Sequence, residues 1–234
     1  MNILDVIILL ALGLFALAGY YKGFLTTLIS IASYFVSFIF AISFMGVISN
    51  SVKADDNLFN TLLYYTEGSE FISDVELARA NVSSLNTTQI DDTIAEANLP
   101  YPFAGEITEN IAKEAFSDIN ITTLGDYFNQ TIVCGVINIL AFMLIFFIMR
   151  IILAFVANGI DYTLKLPKLK KYDSGIGAGL GVVNGMLSLF VAFMIVPIIL
   201  IVLNFEFVHS LIDGSFFAPF FYNSSLFLAI IPGI

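Results

Sequence analysis

Four long apolar runs divide this chain, and the polar residues between them gather into one long stretch and two short ones. Residues 3–19 are apolar apart from Asp5, residues 24–48 and 132–149 carry no charge, and residues 175–203 form a 29-residue uncharged segment. A helix needs ~20 mostly apolar residues to cross ~30 Å of hydrocarbon, because each residue rises ~1.5 Å. All four runs meet that length. The fourth exceeds it and has to tilt, kink or protrude; Pro197, which removes one backbone hydrogen bond, is the expected kink.

The long polar stretch, residues 51–126, shows a helical period. "NLFNTLLYY" places Leu58, Leu62 and Tyr65 on one stripe, "TTQIDDTIAEANL" opens on a threonine cap and spaces Ile90, Ile94 and Ala97, and "GEITENIAKEAF" spaces Ile107, Ile111 and Phe116. Pro100 and Pro102 separate the last two, so the stretch reads as a small helical cap. The tail, residues 204–234, is aromatic and apolar but broken by Gly214 and Pro219, and its "LFLAII" is too short to span. It reads as an interfacial or re-entrant segment.

Composition agrees with a bilayer as solvent. Of 234 residues 59% are hydrophobic and only 12% are charged, half the charge of an ordinary soluble domain. Lys22 marks the turn between the first two runs, and Lys165, Lys168, Lys170 and Lys171 in "KLPKLKK" mark the loop between the last two. Short basic loops stay cytoplasmic, so both termini and residues 51–126 are expected outside the cytoplasm. No basic residue precedes Lys22 and Asp5 stands where a signal peptide is positive, so the first span is expected to be retained. Residues 51–126 hold three basic and 14 acidic residues, a net of −11 within a total of −10. The predicted fold class is all-α: a polytopic membrane protein with spans in 1–50 and 127–203, an acidic extracytoplasmic cap in 51–126, and the C-terminal segment 204–234. The lipid bilayer is its first partner, the lysine run is placed to contact anionic lipid heads, and no nucleic-acid partner is expected.

"YDSGIGAGLGVVNGML" carries the most distinctive spacing. Gly177, Gly181 and Gly185 recur every four residues, and Gly175 and Gly179 widen the smooth zone. A phosphate loop would need a strand before it and a water-exposed helix start, and there is no Gly-Lys-Ser/Thr. On a spanning helix the same glycines bare one face, so that a neighbouring backbone approaches closely, within the chain or between protomers.

Other polar residues carry less. Asn138 and Asn184 lie inside spans, where an amide needs an interhelical partner or lines a solute path. Arg150 closes the third span, placed to snorkel to the cytoplasmic surface ahead of an amphipathic continuation. Asp5 is near the outer end of the first span, facing water. Cys134 is the only cysteine and His209 the only histidine. With no nucleophile elbow around "EFVHSLIDG", no catalytic residues, metal or cofactor are expected.

Taken together, "NILDVIILLALGLFALAGYYKGFLTTLIS" and the later "DSGIGAGLGVVNGMLSLFVAF" resemble the CvpA family, the colicin V production proteins of bacteria. The resemblance rests on Asp5, on Lys22-Gly23-Phe24, on Asp173, and on Gly177, Gly181 and Gly185, over roughly residues 1–50 and 130–203. Members often carry a basic residue where this chain has Asn184, and the best-known members have a much shorter outer loop. The resemblance implies a bacterial inner-membrane protein without an established enzymatic activity, linked to toxin production and envelope homeostasis. Two functional readings follow: a scaffold, homo-oligomeric or bound to an extracytoplasmic partner through 51–126, and a transporter of small solutes or lipids.

Overall fold

The computed structural model describes residues 2–164, 172–203, 206–223 and 227–231. Eleven α-helices follow one another among them: α1 Ile3–Lys22, α2 Phe24–Lys53, α3 Asp56–Tyr65, α4 Val75–Arg79, α5 Thr87–Glu96, α6 Phe103–Ala112, α7 Leu124–Leu164, α8 Asp173–Phe193, α9 Val196–Leu203, α10 Glu206–Asp213 and α11 Ala218–Asn223. Extended pairing among the described residues is a single antiparallel bridge between Asn81 and Thr123. Among the described residues four stretches are long and apolar enough to cross a membrane: Ile3–Lys22, Phe24–Lys53, Leu124–Gly159 and Asp173–Leu203. The chain is thus an all-α, multi-pass membrane protein.

The structure sets three boundaries. The helix of the third run continues past Arg150, and α7 runs unbroken to Leu164. The fourth run does break, at Met194 and Ile195. Pro197 then falls in the first turn of α9, where a missing N–H leaves no hydrogen bond unmade. The described part of the tail contains α10 and α11.

The chain forms two compact units. The first comprises Met1–Met45, Phe142–Met194 and Glu206–Ser225, and its dominant contact is α1 against α8. Tyr34 and Phe146 meet edge to face with centroids 5.1 Å apart, as do Phe38 and Phe142 at 5.3 Å, joining α2 to α7. Phe190 and Phe193 of α8 pack on Phe221 of α11.

The second unit comprises Gly46–Ala141, Ile195–Phe205 and Leu226–Ile234. Here the insertion folds against the first half of α7, whose Leu124, Phe128, Ile132 and Val133 are fully buried. Asn86 caps α5 in a capping box with Gln89, in place of the threonine that the sequence suggested. Ile90, Ile94 and Ala97 are buried as the period implies. In α6 the buried side is Phe103, Ile107 and Asn110, and Asn110 donates to the Thr131 hydroxyl at 3.0 Å. The α3 stripe is corrected: Leu58 and Tyr65 are exposed, and Phe59, Leu62 and Leu63 pack on Val133, Cys134 and Ile137.

Candidate functional site

The four-residue glycine period puts Gly177, Gly181 and Gly185 on one face of α8, and all three are buried. Facing them on α1 are Leu12, Phe15, Ala16 and Gly19, spaced three and four residues apart. A Cβ added to Gly177 would overlap the Gly19 carbonyl oxygen and lie 2.8 Å from the carbonyl carbon of Gly23. One on Gly19 would overlap the Gly177 oxygen and reach 2.9 Å from the Gly181 Cα, and one on Gly181 would overlap the Phe15 oxygen. Gly185 faces the Phe15 side chain, 2.9 Å from its Cβ. The seam is therefore backbone on backbone, the packing that holds helices together where lipid supplies no hydrophobic drive. Gly175 and Gly179 do not belong to it; both are exposed and a Cβ on either would touch nothing.

One carboxylate closes each end of this seam. At the start of α8, Asp173 is buried and its Oδ1 accepts the Phe24 N–H at 3.2 Å, satisfying a free donor at the start of α2. Gly23 makes the turn with φ +81°, a conformation that favours glycine, and any Cβ there would strike the Asp173 carboxylate. The Thr27 hydroxyl donates to the Gly23 carbonyl at 2.7 Å. Lys22 is exposed in the last turn of α1.

At the other end Asp5 is fully buried, not solvated as its position suggested. Its Oδ2 accepts the Asn2 N–H at 2.8 Å in a capping box. Its Oδ1 accepts the Ser215 hydroxyl at 2.6 Å and the N–H groups of Phe216 and Phe217 at 2.8 and 3.0 Å. The Asn2 amide donates to the Leu211 carbonyl at 2.6 Å. The first helix thus fastens the segment between α10 and α11. Ser215, Phe216 and Phe217 lie about 210 residues from Asp5 in sequence, and no pattern in the chain announces the pairing. Gly19 was missed as well, although its spacing from Ala16 and Gly23 was visible.

The intramembrane amides find partners on other helices. Asn138 Oδ1 accepts the Ser49 hydroxyl within the second unit. In the first unit Asn184 donates to the Ser30 hydroxyl at 3.4 Å, while its Oδ1 is buried and has no hydrogen-bond partner. Arg150 donates to the Ser30 carbonyl at 3.1 Å and lies over the Tyr34 ring, 5.6 Å from its centroid. It is held by α2. Lys165, Lys168, Lys170 and Lys171 lie outside the described residues.

In the second unit an open cleft of about 850 Å³ is lined by Ser69, Glu70, Arg79, Thr123, Asp126 and Asn129, among others. Its walls are fixed by close contacts. Asn129 Oδ1 accepts the Ser69 N–H at 2.8 Å, and Thr123 and Asp126 cap the start of α7 reciprocally. Gly125 lets the Ala78 carbonyl approach, with a would-be Cβ at 2.9 Å. Arg79 at the end of α4 is exposed, with no carboxylate paired to it among the described residues.

A model of the colicin V production protein family matches residues 4–75 and 120–225, so the chain belongs to that family. The seam residues and both carboxylates fall inside the matched segments, Asn2 lies just before the first of them, and α5 and α6 fall in the gap between them. No curated protein and no solved structure matches the chain.

Proposed function

We propose that this colicin V production family member is a non-enzymatic scaffold of the bacterial inner membrane, serving envelope homeostasis or toxin production and export. Its termini and the insertion stand outside the cytoplasm, the orientation that Lys22 and the lysine run favour. The lysine run then meets anionic lipid heads at ~1 kcal/mol per residue. The observation that carries the scaffold reading is the cleft bearing Arg79, Glu70, Asp126 and Asn129 in an insertion that is folded onto α7. With a net of −11 in residues 51–126, the surface suits a basic extracytoplasmic partner. Any homo-oligomer has to use a surface other than Gly177, Gly181 and Gly185, whose face is occupied by α1.

The test is photo-crosslinking in intact cells from a probe at position 70 or 79, with Arg79→Glu as comparison. One protein species distinct from the chain, strengthened by Arg79→Glu, which removes the cation from an acidic cleft, is the expected result. Recovery of copies of the chain alone, unchanged by the substitution, would replace partner docking with self-association. A lipid-handling transporter is the second reading, favoured by the polar cluster around Arg150.

A further inference from the structure

Arg150 is a cation within the span Leu124–Gly159, and no carboxylate pairs with it among the described residues. The two nearest in role are both engaged elsewhere: Asp5 by Ser215, Phe216 and Phe217, and Asp173 by Phe24. Its guanidinium has five N–H donors, and the single hydrogen bond to the Ser30 carbonyl leaves most of them unused. The cation–π contact with Tyr34 eases the charge without neutralising it. An intramembrane ionisable group is costly unless paired, and such groups mark binding sites or pathways.

The surroundings state what the missing partner is. Ser30 and Tyr34 come from α2, Arg150 from α7, and Asn184 from α8, so three helices converge. The Tyr34 hydroxyl is tied to the Leu187 carbonyl at 2.6 Å, which fixes the ring beneath the guanidinium. Arg150 and Asn184 are linked through Ser30, and the Asn184 Oδ1, on a side chain more than nine-tenths buried, lacks a donor among the described residues. The ligand therefore carries an anion for Arg150 and a hydroxyl or ammonium for Asn184.

Depth and lining select an amphiphile. Ser30 lies six residues beyond Phe24, about 9 Å along α2 from the turn that Asp173 holds. Arg150 is half-buried; Phe147 and Ile151 near it on α7, and Val183 adjoining Asn184 on α8, expose apolar surface that acyl chains would cover. A free anion has no use for that surface. The guanidinium fork matches the geometry of a phosphodiester bidentately.

We infer that Arg150, Ser30 and Asn184 form a site for the headgroup of an anionic phospholipid, one that carries a hydroxyl or ammonium donor as well as its phosphodiester. The site lies on the side of the membrane bordered by the Lys22–Gly23 turn. It stands apart from the scaffold reading, since it concerns the first unit alone.

Native mass spectrometry of the purified chain, delipidated and then exposed to vesicles of defined lipid, tests this. Vesicles of phosphatidylcholine doped with phosphatidylglycerol should leave bound phosphatidylglycerol. Doping with phosphatidylmethanol, whose headgroup has no donor, should leave less. Arg150→Gln should lower retention about tenfold or more, the loss of one charge-assisted pair, and Arg150→Lys should restore part of it. Asn184→Leu should erase the preference for phosphatidylglycerol over phosphatidylmethanol while keeping retention of both. Replacing the four lysines 165, 168, 170 and 171 by glutamine should leave the Arg150-dependent retention in place. Equal retention by wild type and Arg150→Gln, with Asn184→Leu also unchanged, would overturn the site. Displacement of the lipid by inorganic phosphate at comparable concentration would overturn the assignment to lipid. If Arg150→Gln fails to fold, Asn184→Leu and Arg150→Lys still decide the question.

Discussion

Glycine makes the close contacts in both units of this protein, but what it meets differs. In the α1–α8 seam Gly19, Gly177 and Gly181 meet main-chain atoms on the opposing helix. Where the insertion docks on α7, side chains join the main chain at the contact: a Cβ on Gly135 would lie 2.7 Å from the Phe103 ring, one on Gly68 2.7 Å from the Ile132 Cδ1 and 2.9 Å from the Phe128 oxygen, and one on Gly125 2.9 Å from the Ala78 oxygen. The difference follows from the solvent. In lipid a helix gains nothing by hiding leucines from its surroundings, so association depends on backbones approaching closely. The insertion is acidic and polar outside, and its inward aromatic and aliphatic side chains gain from leaving water. One unit holds its helices by what it lacks, the other by what it buries.

The sharpest way to break this contrast is a single methyl group. Gly181→Ala places a carbon against the Phe15 carbonyl, which belongs to a helical backbone and cannot turn aside. Destabilisation of about 3 kcal/mol, the upper end for overpacking, is expected in denaturant titrations in micelles. Gly179→Ala, two residues earlier on the exposed face, should be neutral within ~0.5 kcal/mol or slightly stabilising. Equal effects from the two would mean that α1 and α8 do not touch through this face.

That pair of glycines also shows how far the residues alone could be read. Spacing by four identified the α8 face, but Gly175 and Gly179 share the motif without sharing the contact, and only the partner helix separates the two sets. The partner's own Gly19 lies in a leucine-rich run where small residues draw no attention. From the sequence alone Arg150 marks the end of an uncharged run, because a cation in lipid seeks water. Its partners, the Ser30 carbonyl and the Tyr34 ring, belong to another helix and left no trace near residue 150. Asp5 was misplaced for the same reason. The spans themselves were legible because length and apolarity are local properties, whereas satisfaction of a buried charge is not.

A smaller effect is expected where glycine meets a side chain. Gly135→Ala pushes against the Phe103 ring, which can shift, so a loss of ~1–2 kcal/mol is expected. Phe103→Leu in the same chain should recover part of that loss, because the two changes act on one contact. Additive losses in the double variant would show that the ring is not the obstacle.

The mildest test uses a proton. Glu106 of α6 lies beside Gly135, and its Oε2 is buried without a hydrogen-bond partner. Burial, helped by the neighbouring Glu109 carboxylate, pushes its pKa from the usual 4.5 up to about 7. The Cys134 thiol of α7 is within electrostatic reach of both Glu106 and Lys53 of α2. The folded insertion therefore prefers the neutral acid. Its stabilising effect is fully present below pH 4.5 and is lost as pH rises through about 7, where the folded state must ionise a desolvated group. Hydrogen exchange in α6, corrected for intrinsic rates, should accelerate across that interval and level off above it. Glu106→Gln keeps the shape and removes the titration, so its corrected rates should be flat. The same substitution should leave the α1–α8 seam untouched, since no titrating group contributes to its backbone contacts. A pH-dependent rate that survives Glu106→Gln would assign the titration to another group and leave Glu106 as packing alone.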